Sequence, residues 1–223
     1  MTQEEFDQEW HLSSDVAIKG AYYTTLLTAA RKDGRITRVP YDPALPVDTD
    51  WDLGISDKMT IWFSQSLRSG EVRLIDYYEN SGEGIPHYAG VLKDKGYVYG
   101  EYWAPHDIQV RELGTGKSRL ERARSHGIRF RVVRDIGVAD GIDAARLLLP
   151  RCWFDEQKCR VGLDALTFYR KSYNERLQEF TDKPLHDWSS HGADAFRGLA
   201  VRHKPPKEKE VAEPPYRPAG VWQ

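Results

Sequence analysis

Apolar and polar residues alternate along the first half of this 223-residue chain at spacings typical of β-strands, and later segments switch to helical spacing. Three strand-like stretches come first, and the gaps between them are so short that the strands are predicted to run antiparallel. A helix that ends at Gly96 follows, and strands and helices then alternate. The predicted strands are 47–53, 59–66, 71–79, 97–104 and 128–133, and the predicted helices are 85–95, 120–126, 143–150, 161–173 and 190–201.

This element order predicts an α/β fold. We expect a mixed central sheet whose first three strands are antiparallel, with helices on both faces. Ser189 or Ser190 is the expected cap of the last helix. The first and fourth strands are expected to be neighbours in the sheet.

Prolines suggest where this domain begins and ends. Pro40, Pro43 and Pro46 lie within seven residues of each other and favour an extended path before the first strand. Helical material from Phe6 to Arg31 precedes them. We therefore predict a helical leader at 1–39, a domain at 40–202, and a flexible tail rich in prolines and charges at 203–223.

Composition narrows the class of protein only slightly. The formal net charge is −2, so overall charge does not indicate a nucleic-acid binder, although Arg111 to Arg134 is locally basic. Such a run is either a solvated face or a surface for DNA. Cys152 and Cys159 are too few for a disulfide framework and are expected to be thiols. The sequence has no long apolar run, and its acidic first ten residues do not fit a signal peptide, so no membrane partner is expected.

Two aspartates stand at predicted strand ends. Asp52 ends the first strand, and Asp107 follows the fourth in Pro105-His-Asp107. If these strands are neighbours, the carboxylates meet at one edge of the sheet. Two carboxylates about 4 Å apart repel by roughly 4 kcal/mol at an effective dielectric near 20, which favours a hard divalent cation between them. The alternative for either residue alone is a turn-forming aspartate.

A third acid, Asp194, lies at the margin of the apolar stripe of the last predicted helix, beside Ala193. Small neighbours would let it approach the sheet closely. His191 lies one turn earlier on the same side, so the two could act together. A helix-start histidine bonded to solvent or backbone is the alternative for His191.

Three blocks, Val47 to Asp57, Pro105 to Ser118 and His186 to Arg197, together resemble the C-terminal nuclease domain of tailed-phage or prophage terminase large subunits. The resemblance implies an RNase H-like fold whose acids bind two Mg²⁺ or Mn²⁺ ions. Asp52, Asp107 and Asp194 match its metal-binding acids, and Asp57 matches a further acid nearby. His191 would orient the attacking water or take its proton. Five basic residues become expected DNA contacts: Arg111, Lys117, Arg119, Arg122 and Arg124.

The resemblance also implies a function: a DNA endonuclease that cuts concatemeric double-stranded DNA during viral genome packaging. Implied partners are the ATPase domain of the same large subunit, the portal protein and the small terminase subunit. The ATPase domain is not expected in this sequence, because Arg111 stands where the phosphate-binding loop around Gly116-Lys-Ser118 needs a glycine. The expected location is the host cytoplasm rather than the mature virion.

Two other functions remain open at this stage. The same fold could act on branched DNA or on RNA–DNA hybrids. Alternatively, the chain could be a non-catalytic module that docks on the portal.

Overall fold

The computed structural model describes residues 18–54, 58–109 and 118–203. Within these ranges a seven-stranded sheet has the order β1-β7-β4-β3-β2-β5-β6, and β8 and β9 form a separate hairpin. The strands are β1 (Ile36–Thr37), β2 (Val47–Leu53), β3 (Lys58–Ser66), β4 (Val72–Ser81), β5 (Tyr99–Ala104), β6 (Phe130–Val132), β7 (Cys152–Asp155), β8 (Lys171–Asn174) and β9 (Glu179–Pro184). The α-helices are α1 (Thr24–Lys32), α2 (Ile85–Lys95), α3 (Arg119–Ser125), α4 (Val138–Leu148), α5 (Arg160–Phe168) and α6 (Ser190–Arg202).

The sheet is mixed, as predicted. Strand β3 runs antiparallel to both of its neighbours, β2 and β4. Strand β2 pairs in parallel with β5, and β5 in parallel with β6. The predicted antiparallel start of the sheet and the predicted contact between the first and fourth long strands, β2 and β5, are therefore confirmed.

Helices cover both faces of this sheet. Strand β2 sends Val47, Trp51 and Leu53 into one buried cluster, together with residues of α2 and α3. On the other face, Trp62 of β3 packs among residues of α1, α4, α5 and α6. Because alternate residues of a strand point to opposite faces, the aspartates of β2 lie on the face covered by α6.

The prediction of a single helix over 161–173 is wrong. Helix α5 ends at Phe168, and Lys171 already belongs to the β8–β9 hairpin. Strand β7 was not predicted, since four residues that follow a short 3₁₀ turn leave no clear alternation. Helix α4 begins earlier than expected, at Val138 after Gly137, whose φ of +76° suits a glycine.

The predicted start of the domain at residue 40 stays a prediction, but residues before this position also pack into the core. Tyr23, Leu27 and Ile36 lie in the same buried cluster as Trp62 and Phe196. Residues 20–37 therefore contribute directly to the core that supports α6. Residues 1–17 of the predicted leader and 204–223 of the predicted tail lie outside the described residues.

Cys152 and Cys159 are both buried free thiols, as expected, and burial raises the pKa of each. Among the helices in the described ranges, none has the length and apolar composition that a bilayer crossing requires.

Candidate active site

Three aspartates occupy alternate positions of β2 and face α6. Asp48 and Asp50 both form ion pairs with Arg202, the last residue of α6. The Arg202 guanidinium lies 2.5 and 2.6 Å from the two carboxylate oxygens of Asp50 and 3.1 Å from Asp48 Oδ2. Its side chain is only 8% exposed. Asp52, at the other end of the row, is not part of this cluster.

Asp52 is bonded instead to the amino-terminal turn of α6. His191 Nδ1 lies 2.9 Å from Asp52 Oδ2, and the histidine is buried. Since an ionised carboxylate can only accept, the imidazole Nδ1–H is the donor of this hydrogen bond. The structure thus excludes a His191 bonded only to solvent or backbone, and it brings two of the predicted site residues together.

Close packing of α6 on the sheet makes this contact possible. Thr60 Oγ1 donates to the carbonyl of His191 at 3.0 Å, and Trp62 Nε1 donates to the carbonyl of Gly192 at 2.8 Å. A Cβ at Gly192 would lie 2.8 Å from both the Tyr77 hydroxyl and the Ala165 Cβ. A glycine is therefore needed here for the first turn of α6 to reach β3.

Asp194 lies on the same helix, three residues after His191. Tyr169 donates its hydroxyl to Asp194 Oδ1 at 3.3 Å, and Arg197 Nη1 lies 3.3 Å from the same oxygen. Burial raises the pKa of Asp194 to about 6; the Arg197 guanidinium opposes this rise, and the negative charge of Asp52 adds to it. The two acids therefore interact electrostatically, although no hydrogen bond joins them.

Glu79 is a further acid on this face of the sheet, and the sequence analysis did not single it out. Asp52 pairs across the sheet with Thr60, and Thr60 pairs with Glu79 of β4. Glu79 is held by Lys58 Nζ at 2.5 Å and by the Tyr77 hydroxyl at 2.8 Å. The available signal was an acid near the end of a predicted strand, the same one that singled out Asp52.

Asp107 follows β5, the parallel neighbour of β2, and so lies at the same edge of the sheet as Asp52. It is exposed, in the 3₁₀ turn His106–Gln109. Among the described residues, no three acidic, histidine or cysteine side chains converge closely enough to hold an ion. Asp52, Asp107 and Asp194 are all described and do not form such a group, and Asp57 lies outside the described residues.

The chemistry of the donors nevertheless fits a hard divalent cation. Asp52 and Asp194 offer carboxylate oxygens, the ligands that Mg²⁺ and Mn²⁺ prefer. The raised pKa of Asp194 shows that burial and the charge of Asp52 disfavour its ionised form. A cation bound by both carboxylates would relieve this penalty. Asp52 and Asp194 would hold it, and His191 would remain anchored to Asp52.

Three of the five predicted DNA-contacting residues lie in the described part of the chain. Arg119 begins α3 and donates Nη1 to the carbonyl of Leu53 at 2.7 Å, next to Asp52 in the sequence. Arg122 and Arg124 follow on the same helix. Arg111 and Lys117 fall outside the described residues. The structure therefore places the start of α3 beside the end of β2.

The central strand order β4-β3-β2-β5-β6, with β3 antiparallel and helices on both faces, is that of the RNase H-like fold. This is the fold of the nuclease domains of phage large terminases.

Solved structures of such proteins are similar to this chain. The large terminase nuclease from thermophilic phage G20c with bound cobalt is 13% identical with a TM-score of 0.56, over 84% of this chain and 100% of that one. The large terminase nuclease domain of bacteriophage SPP1 with bound manganese is 14% identical with a TM-score of 0.53, over 69% and 84% of the two chains. At these sequence identities the structural similarity shows a shared fold and nothing beyond it.

A large terminase from a different thermophilic bacteriophage is 17% identical with a TM-score of 0.59 over 76% of this chain. The matched region spans only 42% of that longer protein. No protein-family model matches this chain, and no curated protein is similar to it in sequence.

Proposed function

We propose that this chain is the metal-dependent endonuclease domain of a phage genome-packaging terminase and that it cuts concatemeric double-stranded DNA. The observation that carries this proposal is the contact between Asp52 and His191, with Asp194 three residues further along α6, at a strand end of an RNase H-like sheet. Similar folds occur in terminase nucleases solved with bound cobalt or manganese.

The proposed cofactor is a pair of Mg²⁺ or Mn²⁺ ions. Asp52, Asp107 and Asp194 are the proposed ligands, with Asp57 nearby. Bound there, such ions would lower the pKa of the attacking water and stabilise the leaving 3′ oxygen of the phosphodiester. The exposed position of Asp107 leaves its carboxylate accessible at the edge where the DNA would arrive.

The side chains have separate tasks in this hydrolysis. His191 orients the water or takes its proton, and Asp52 fixes the imidazole by binding Nδ1. Asp194 supplies the second carboxylate from the same helix. Arg119, Arg122 and Arg124, with Arg111 and Lys117, contact phosphates and so position the duplex without reading its sequence.

The wider role follows from the similarity to longer large terminases. The proposed partners are double-stranded DNA, the ATPase domain of the same large subunit, the portal protein and the small terminase subunit. The proposed site of action is the host cytoplasm, where heads are filled, and the protein would be absent from the mature virion.

The test is a nicking assay on supercoiled plasmid with Mn²⁺, with Mg²⁺ and with EDTA. We expect relaxed and then linear products with either metal and none with EDTA. Four-way junctions and RNA–DNA hybrids, assayed in parallel, should be cut no faster than linear duplex. Absence of cutting with every metal would overturn the proposal. Faster cutting of junctions or hybrids would mean that the substrate is branched DNA or an RNA–DNA hybrid instead of duplex DNA.

A further inference from the structure

Residues 20–24 lie along residues 167–171, which run from the end of α5 into the start of β8. Ala21 forms an isolated antiparallel bridge with Arg170. The bonds are Tyr22 N–H to the Tyr169 carbonyl at 2.9 Å, Lys171 N–H to the Gly20 carbonyl at 3.0 Å, and Thr24 Oγ1 to the Thr167 carbonyl at 3.0 Å. Backbone and side-chain hydrogen bonds therefore join the two segments.

Tyr169 lies at the centre of this junction. Its ring stacks on that of Tyr23, with centroids 5.8 Å apart and an interplanar angle of 21°, and it also contacts Tyr22 at 5.2 Å. Tyr23 and Tyr169 are 0% and 1% exposed. A ring packed this tightly has little rotational freedom, so the position of its hydroxyl is set by the packing.

The two stacked tyrosines differ in what their hydroxyls do. Tyr169 donates to Asp194 Oδ1, whereas the buried Tyr23 hydroxyl has no hydrogen-bond partner within the described residues. Arg197 contacts the same Asp194 oxygen that Tyr169 does. One oxygen of Asp194 is thus contacted from two sides at 3.3 Å, which favours one direction of the carboxylate.

We propose that Tyr169 is a positioning residue, held in place by Tyr23, that orients the Asp194 carboxylate for cation binding. The inference rests on the proposed function, since it concerns the same metal site. Side chains that bond to metal ligands fix the geometry of the site, and their loss typically weakens metal affinity about 10- to 100-fold.

Tyr169→Phe and Tyr23→Phe form a matched pair, because each removes one buried oxygen and keeps the stacked rings. The first readout needs no metal: the carboxyl ¹³C signal of Asp194 in aspartate-labelled protein with EDTA, assigned with Asp194→Asn. We expect Tyr169→Phe to shift this signal and Tyr23→Phe to leave it unchanged. No shift in Tyr169→Phe overturns the inference.

The second readout is Mn²⁺ affinity, from calorimetry and from the rise in Tm. Tyr169→Phe should weaken it about tenfold relative to wild type and to Tyr23→Phe. DNA cutting by this variant should fall at low Mn²⁺ and recover at saturating Mn²⁺, with KM for DNA unchanged. Tyr23→Leu, which removes the stacked ring, should weaken Mn²⁺ binding while Tyr169 keeps its hydroxyl.

The outcomes separate the two proposals. Equal Mn²⁺ affinity of wild type and Tyr169→Phe overturns the positioning role and leaves the nuclease function intact. Unchanged affinity in Tyr23→Leu overturns the part assigned to Tyr23. A wild-type protein that binds no Mn²⁺ overturns the proposed function together with this inference.

Discussion

His191 Nδ1 lies 2.9 Å from Asp52 Oδ2, although 139 positions separate the two residues in the chain. The contact joins the end of β2 to the first turn of α6, the last helix among the described residues.

Asp52→Asn should abolish metal-dependent nicking, because it removes the negative charge that attracts a hard divalent cation. Its Tm in EDTA should change little, since the amide fills the same space. Asp182→Asn, at a fully exposed carboxylate in β9, is the control and should cut like wild type. Retained nicking in Asp52→Asn would contradict the proposed site.

The raised pKa of Asp194 should make the free energy of unfolding decrease as pH rises. Its pKa is about 6 in the folded protein against 3.8 as the ordinary value. Between these values the folded state binds a proton that the unfolded state does not, so the free energy of unfolding decreases as pH rises from about 4 to 6. Above pH 6 the ionised carboxylate is a net cost, which the metal would relieve.

Asp194→Asn removes the energetic cost of keeping an ionised carboxylate at this partly buried position. The side chain is 32% exposed, so solvent screening limits the gain. We expect the variant to be more stable than wild type by about 1 kcal/mol at pH 8 in EDTA, with the difference vanishing near pH 4. Urea unfolding at the two pH values measures this. A difference independent of pH would contradict the assignment, and Asp182→Asn should show none.

Arg202→Met should destabilise the protein by about 3 kcal/mol, because it leaves the buried carboxylate of Asp50 without its counter-charge. Asp50 has 1% of its side chain exposed, so water cannot replace the guanidinium. Chemical denaturation provides the measurement. Arg151→Met, at an exposed arginine, is the control and should change stability by less than about 0.5 kcal/mol.

Two glycines of α6 provide a matched comparison. Gly192→Ala should destabilise the protein and reduce cutting, because its Cβ would lie 2.8 Å from Tyr77 and Ala165 and would push His191 away from Asp52. At Gly198 the nearest atom to an added Cβ is 3.9 Å away. Gly198→Ala should therefore stabilise the helix by about 0.5–1 kcal/mol and leave cutting unchanged. Equal effects at the two positions would contradict the packing argument.

Arg124→Ala should weaken binding to duplex DNA and reduce the slope of log affinity against log salt by about 1, as expected for one lost phosphate contact. Arg176→Ala, on the connection between β8 and β9, is the control for charge alone. Fluorescence anisotropy with duplexes of unrelated sequence measures both. A loss confined to one sequence would argue against phosphate contact.

Much of this architecture could be predicted because local patterns specify it. The alternation over Val47–Leu53 and the helical stripe of Ala193, Phe196 and Leu199 are properties of neighbouring residues, and each element forms where it was expected. The strand end at Asp52 and the helix start at His191 follow from the same patterns.

The remaining features depend on long-range packing. Nothing local distinguishes Arg202 from the other arginines, and its pairing with Asp50 appears only once α6 lies across the sheet. Tyr169 fell inside a predicted helix, whereas α5 ends at Phe168 and residues 169–171 bond to residues 20–22, which lie far away in the sequence. Glu79 likewise lies in the same cross-strand row as Asp52 only through the pairing of both residues with Thr60.

The distance in sequence between β2 and α6 also has a consequence for biosynthesis. Asp52 meets His191, and Asp50 meets Arg202, across 139 and 152 positions. A chain emerging from the ribosome cannot make the first contact before residue 191 is available, or the second before residue 202 is. A partly synthesised chain therefore has Asp52 without its histidine, and the contact proposed for catalysis is completed only near the end of synthesis of this domain.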